Sequence, residues 1–228
     1  MRSGIREYDH TGKVAGDTPL ARDGGVSMTR YNEEHKRVSR QRIVESAARR
    51  FKADGIDGSG IAILMKDAGL TNGAFYGHFD SKEDLVRTAI SQQLQSQREI
   101  LSDLEPSVAG LQQFVGEYLS LEHRDDLEGG CPSAALLDEI GRCTDGLRQS
   151  YTDGIVSIVD DLAGRLAGVD AAEARVAILG VFASMVGTIQ LSRALTDRRL
   201  ADAVLEQGVR NALVLIESAN TPNARRSG

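Results

Sequence analysis

Three features of this 228-residue sequence predict an all-α fold. Apolar residues recur at helical spacing along most of the chain. No stretch keeps a period-two alternation. Only 4 prolines interrupt it. With 41% hydrophobic residues, the chain can build a core without staples. Its two cysteines, Cys131 and Cys143, make neither a disulfide framework nor a zinc-ligand set. The longest apolar stretch, residues 176–189, is short for a bilayer span. No apolar run follows Met1 to make a secretory signal. A membrane protein, a disulfide scaffold and a Cys-rich zinc finger are thereby excluded. The expectation is a cytoplasmic protein that uses no metal and no cofactor.

Residues 1–27 read as a tail, because Gly4, Gly12, Gly16, Gly24 and Gly25 break every periodicity. Met28 follows and offers an alternative start. From about residue 33 the pattern turns helical: Ile43, Ala47 and Phe51 form a stripe that Val44 and Ala48 widen. Gly55 closes it. A short helix over residues 60–68 has Ser59 as its expected N-cap and Ile61, Leu64, Met65 and Ala68 on its inner face. A third helix is predicted over residues 72–79, with Phe75 and Phe79 pointing inward. Ser81-Lys82-Glu83-Asp84 resembles a capping box, with Asp in the place of Glu, and opens a long helix to about residue 104. Pro106 and Gly110 interrupt. Leu111, Phe114, Val115, Tyr118 and Leu119 mark the next amphipathic helix, and residues 125–130 read as a loop. Cys131-Pro132-Ser133 starts another helix, since proline is tolerated in a first turn. Helices over residues 144–167, 171–195 and 202–219 complete a bundle-like body.

The formal net charge of −6 is unevenly spread. Basic side chains crowd between Arg30 and Lys52, whereas residues 89–228 contain no lysine and are strongly acidic. A basic end on an acidic body suits a nucleic-acid binder, though a solvated helix face produces the same pattern. The four histidines, at positions 10, 35, 78 and 123, are scattered, and no glycine-rich phosphate loop follows a strand. An enzyme is therefore not expected.

Between the two short helices, Ala68-Gly69-Leu70-Thr71 reads as the turn of a helix-turn-helix. Gly69 turns the chain at positive φ, Leu70 fills the angle, and Thr71 restarts the helix and offers its amides to a phosphate. With Phe75 and Phe79 inward, Asn72, Gly73, Ala74, Tyr76, Gly77 and His78 form the outer face. That face is small and polar, able to sink into a major groove roughly 12 Å wide. Two glycines in one short helix, each about 1 kcal/mol worse than alanine, suggest close backbone approach to a partner.

The run from Arg42 to Phe51, with Gly55, and then Ala68 through Leu85 closely resembles the N-terminal domain of TetR-family transcriptional regulators. The segment around Met185 to Ala194, with Asp197 and Leu205, is similar to the family's dimerising helix pair. The resemblance implies a three-helix DNA-binding domain over residues 28–87. It implies a helical ligand-binding and dimerisation domain over residues 88–228. It assigns phosphate contacts to Thr71, Tyr76, His78 and Lys82, base contacts to Asn72, Gly73, Ala74 and Gly77, and a DNA contact to Ser59. Ala62 and Ile63 depart from the family's polar pattern. The implied partners are a double-stranded operator, a second copy of the chain and a small-molecule effector, the protein acting as a repressor.

A pocket between the body helices is expected, with Phe114, Tyr118, His123, Tyr151, Phe182 and Met185 as candidate lining residues. Cys131, after two glycines at a helix start, is a candidate sensor thiol.

Overall fold

A computed structural model describes residues 24–166 and 168–220. The expected tail through residue 23 lies outside the described residues. The chain divides into two compact units, residues 1–37 and 38–228. Helix α1, Gly24–Asp54, begins inside the segment read as tail. Glycine lowers helix stability by only about 1 kcal/mol per residue, so a helix nucleated downstream extends through it. In the first unit Arg37 donates to exposed Glu34 at 2.6 Å. From Val38 onward, Ile43, Val44, Ala47, Ala48 and Phe51 are buried, as their spacing predicted.

The helices that follow are α2 (Ile61–Asp67), α3 (Lys82–Ser102), α4 (Val108–Tyr118), α5 (Leu121–Asp125), α6 (Pro132–Arg142), α7 (Asp145–Ala163), α8 (Ala171–Ala194) and α9 (Arg198–Asn220). A 3-10 helix, Asn72–Gly77, lies between α2 and α3. No strand occurs among the described residues. Ser81 caps α3 by accepting from the Asp84 amide at 3.1 Å. The Asp84 carboxylate accepts from Asp80 N at 3.4 Å, so the reciprocal half of the capping box reaches one residue further back. Helix α5 ends at Asp125, the first residue of the expected loop. Its single turn is held by Ser120, which accepts from His123 N at 3.1 Å.

The body packs α3 against α7 and α8 against α9. Gly154 lets α7 lie directly on Leu94, and Gly208 lets α9 lie on Thr188, where a Cβ would meet side-chain carbon at 2.6 and 2.4 Å. Helix α8 is long and apolar enough by composition to cross a bilayer. Ile178, Val181, Phe182, Met185, Val186 and Ile189 are instead buried in the core.

Candidate functional site

The turn after α2 is a Schellman motif around Gly69, whose φ is +69°. Gly69 N donates to Lys66 O and Leu70 N to Met65 O, each at 2.9 Å. Leu70 packs on the core. Arg50 fastens α1 to α2, donating to Asp67 Oδ2 from Nε at 2.9 Å and from Nη2 at 2.7 Å. Phe75 and Phe79 are buried with ring centroids 5.8 Å apart. The Arg40 guanidinium sits 4.4 Å from the Phe79 ring centre.

These anchors turn Asn72, Gly73, Tyr76 and Gly77 outward, and Thr71 beside them is exposed. Tyr76 is 72% exposed. Thr71 is the N-cap residue, but its hydroxyl makes no capping bond. A Cβ added at Gly73 or Gly77 would meet nothing within 4 Å. Nothing inside the molecule therefore requires glycine at either position.

The structure departs from the expected contact set at Ala74 and Ser59, and half-buries His78 and Lys82. Ala74 is half-buried and packs on the core, because the segment winds as a 3-10 helix and brings it toward the hydrophobic side. Ser59 is wholly buried, and its hydroxyl donates to Gly55 O at 2.9 Å. It is not available to DNA in this arrangement. Gly60, not Ser59, is the N-cap of α2. His78 is half-buried at the end of the 3-10 helix, and Lys82 is half-buried in the first turn of α3. Ile63, 46% exposed, puts an apolar side chain on the outer face of α2, beside exposed Lys66.

A cavity of about 660 Å³ opens between α1, α3, α4 and the loop into α6. Phe114, Tyr118, His123 and Cys131 line it, as the sequence suggested. Tyr151, Phe182 and Met185 do not. Tyr151 shares a 2.8 Å hydrogen bond with Ser133, Phe182 lies edge-on to Tyr118 with centroids 6.0 Å apart, and Met185 is plain core. Sequence reasoning missed the α1 wall: Val44, Ala48 and Lys52. The signal was present, since the spacing 44, 48, 52 puts Lys52 on the buried stripe. It also missed Gln92, Gln93 and Gln97 of α3.

Lys52 is 7% exposed and donates to Gly130 O at 2.8 Å. Burial pulls its pKa down to about 8, with Arg49 and Arg193 adding to the fall and Cys131 and Asp126 opposing it. The unfolded chain thus holds this proton more tightly, and stability rises with pH between about 8 and the ordinary lysine value. Lys52→Met is expected to melt higher than wild type at pH 7, with the advantage shrinking as pH rises through that window. Paired thermal melts across the range check this. An advantage that grows with pH would contradict it.

His123 Nε2 accepts from Cys131 N at 3.1 Å, which leaves Nδ1 to donate to Tyr118 O at 2.6 Å. Burial lowers the His123 pKa, keeping the ring neutral at pH 7. Buried Arg124 holds α5 in place, pairing with Asp125 at 2.8 Å and with Asp202. The Cys131 thiol lies 3.4 Å from Gln97 Oε1. Among the described residues, three hydrogen bonds join residues 52–83 to residues 130–144: Lys52 with Gly130, Ile56 N with Glu139 Oε2 at 2.8 Å, and Glu83, in the first turn of α3, with Thr144.

Two short helical segments at a tight glycine turn, anchored by two aromatics and presenting a small outer face, define a helix-turn-helix protein. Residues 43–89 match the family described as bacterial regulatory proteins, tetR family. The chain resembles that family over this segment. It is 35% identical over 63 residues to the regulator TtgR of Pseudomonas putida, spanning 28% of this chain and 30% of that one. To LmrA of Bacillus subtilis it is 28% identical over 118 residues, spanning 49% and 62%. The chain thus matches only part of the length of these curated relatives. A TetR-family regulator from Agrobacterium tumefaciens superposes with a TM-score of 0.66 at 22% identity, over 78% of this chain and 97% of that one. The reduced form of Escherichia coli NemR superposes with a TM-score of 0.65 at 16% identity, over 76% and 94%. Both share the fold.

Proposed function

We propose that this protein is a cytoplasmic, ligand-responsive transcriptional repressor. It binds a near-palindromic operator as a homodimer, and is released by a small molecule or by modification of Cys131. The observation that carries the reading is the outward 3-10 segment, whose two glycines have open space above them. Close approach of an external surface accounts for their choice over alanine. Asn72 faces the bases, and Thr71, Tyr76, His78 and Lys82 hold phosphates.

The dimer reading is supported by apolar side chains left exposed on α8 and α9: Val176, Leu179 and Leu191 on the first, Leu200, Val214 and Leu215 on the second. A two-fold pair built on them presents two recognition segments to matching half-sites.

The test is anisotropy titration of the full chain onto duplex DNA from upstream of its own gene. Specific, salt-sensitive binding is expected. Lys82→Ala is expected to weaken all sequences about equally and to make the salt slope shallower by roughly one unit. Asn72→Ala is expected instead to relax preference at one base pair, by about 1–3 kcal/mol. Unchanged base preferences in Asn72→Ala would refute the reading face.

Release requires an effector that favours the dimer with badly spaced recognition segments. Helix α3 transmits the change, helped by the three hydrogen bonds that cross to the body. The thiol branch is separated by Cys131→Ser. Operator release by an electrophile such as N-ethylmaleimide is expected to disappear in this variant. Equal release in both proteins would leave non-covalent binding as the switch.

A further inference from the structure

We infer that the cavity walled by α1, α3 and α4 takes a small organic monoanion, an apolar body carrying one carboxylate, with that carboxylate seated on Lys52 Nζ. This rests on the ligand-controlled reading and names the chemical class of its effector.

The charge inside the cavity is a cation without a counter-ion. Lys52 is 93% buried, and no carboxylate lies within ion-pair distance of it among the described residues. An ammonium has three donors, and only the Gly130 carbonyl takes one. A buried charge in that state is unfavourable until an anion reaches it. A second donor waits nearby. Tyr118 lines the same cavity and is 4% exposed, and its buried hydroxyl meets only the Cys131 thiol, a weak partner. A ligand oxygen would satisfy that hydroxyl better.

Both donors flank Cys131. Lys52 holds the carbonyl of the residue before it, and the Tyr118 ring stands 4.5 Å from the His123 ring that binds its amide. His123 does not compete for the anion, since both its nitrogens are engaged.

The rest of the wall fixes the size and charge of the ligand. Val44, Ala48, Ala89, Leu101 and Phe114 supply the apolar surface. The lining carboxylates Glu45, Glu117 and Glu128 are exposed, in water at the mouth. They do not neutralise Lys52, and they disfavour a ligand of higher negative charge.

The seat also couples to the DNA-reading end. A carboxylate on the free Lys52 donors draws the ammonium toward the cavity and so strains the Gly130 bond that ties α1 to the body. Ile43, Ala47 and Phe51 of that same helix form the core on which the reading segment is anchored.

The experiment is calorimetric titration of the full-length protein, without DNA, using 2-naphthoate and decanoate against 2-naphthamide and decanamide. Each carboxylate is expected to bind at least about tenfold more tightly than its amide. Lys52→Met is expected to erase that difference, and Lys52→Arg to keep most of it. Equal affinity for acid and amide would overturn the inference. So would no binding of either carboxylate at millimolar concentration, or an unchanged preference in Lys52→Met. If Lys52→Met fails to fold, the acid–amide comparison on the wild-type protein still decides. Because DNA is absent, carboxylate binding without any operator binding would refute the repressor reading and leave the seat standing. Operator binding with no carboxylate preference would do the reverse.

Discussion

Replacing Gly77 by leucine is expected to weaken operator binding by at least about a hundredfold, or roughly 2.7 kcal/mol, while the melting temperature moves by no more than a few degrees. The two halves of this expectation have separate causes. Gly77 is exposed, and the space where its Cβ would stand is empty. A larger side chain therefore projects into solvent without disturbing Phe75 or Phe79 beneath it. On the proposed reading that space is the groove. A helical segment with ordinary side chains is about 10–12 Å across, close to the width of the major groove. A leucine on the leading face holds the backbone off the bases and breaks the phosphate contacts on either side together. Anisotropy titration beside a circular-dichroism melt tests both halves. Full affinity in Gly77→Leu would mean that another surface reads DNA, and a large drop in melting temperature would mean that the glycine is needed by the fold.

The second large effect is expected at Phe75. Its side chain is wholly buried, edge-on to Tyr76 with centroids 5.2 Å apart and tilted against Phe79. Phe75→Ala removes most of a buried ring and leaves a cavity, at a cost of about 3–5 kcal/mol. Against a typical total stability of about 5–15 kcal/mol, that threatens the reading unit. Operator binding is expected to be lost with it. Tyr76→Ala supplies the contrast, because an exposed side chain with few packing partners changes stability by about 0.5 kcal/mol or less. Its effect is expected on DNA affinity alone. Urea unfolding of the two variants distinguishes them. Equal destabilisation by both would show that the outward and inward faces have been misassigned.

The sequence carried the reading unit almost entirely, because its determinants are local. Gly69 at positive φ, Leu70 in the angle, Ser81 as a cap and the Phe75–Phe79 pair all act within a few residues of themselves. Their identity and spacing therefore state the geometry. The errors in this region arise where winding and burial depend on neighbours. Nothing in the residue types said that residues 72–77 would wind as a 3-10 helix and draw Ala74 onto the core. Nor did they say that Ser59 would be enclosed and donate to Gly55 rather than cap α2.

The cavity shows the opposite balance. Its α1 wall was visible only as an unexplained lysine on an apolar stripe, and the charge of the whole basic end was read as one surface. Lys52 meets Gly130 across 78 residues, and Ile56 meets Glu139 across 83. Such pairs follow from how helices cross, not from any period in the sequence. The same reason removed Tyr151, Phe182 and Met185 from the lining. They occupy inward positions on their helices, as predicted, but helix periodicity gives only the side that faces the core. By itself the sequence determined an all-helical chain, the helix-turn-helix and, Ala74 and His78 apart, the side of it that faces outward. Which inward residues meet a void, which meet each other, and that a buried ammonium stands at the seam between reading unit and body were decided by tertiary packing, since burial is a property of the assembled helices and not of any one of them.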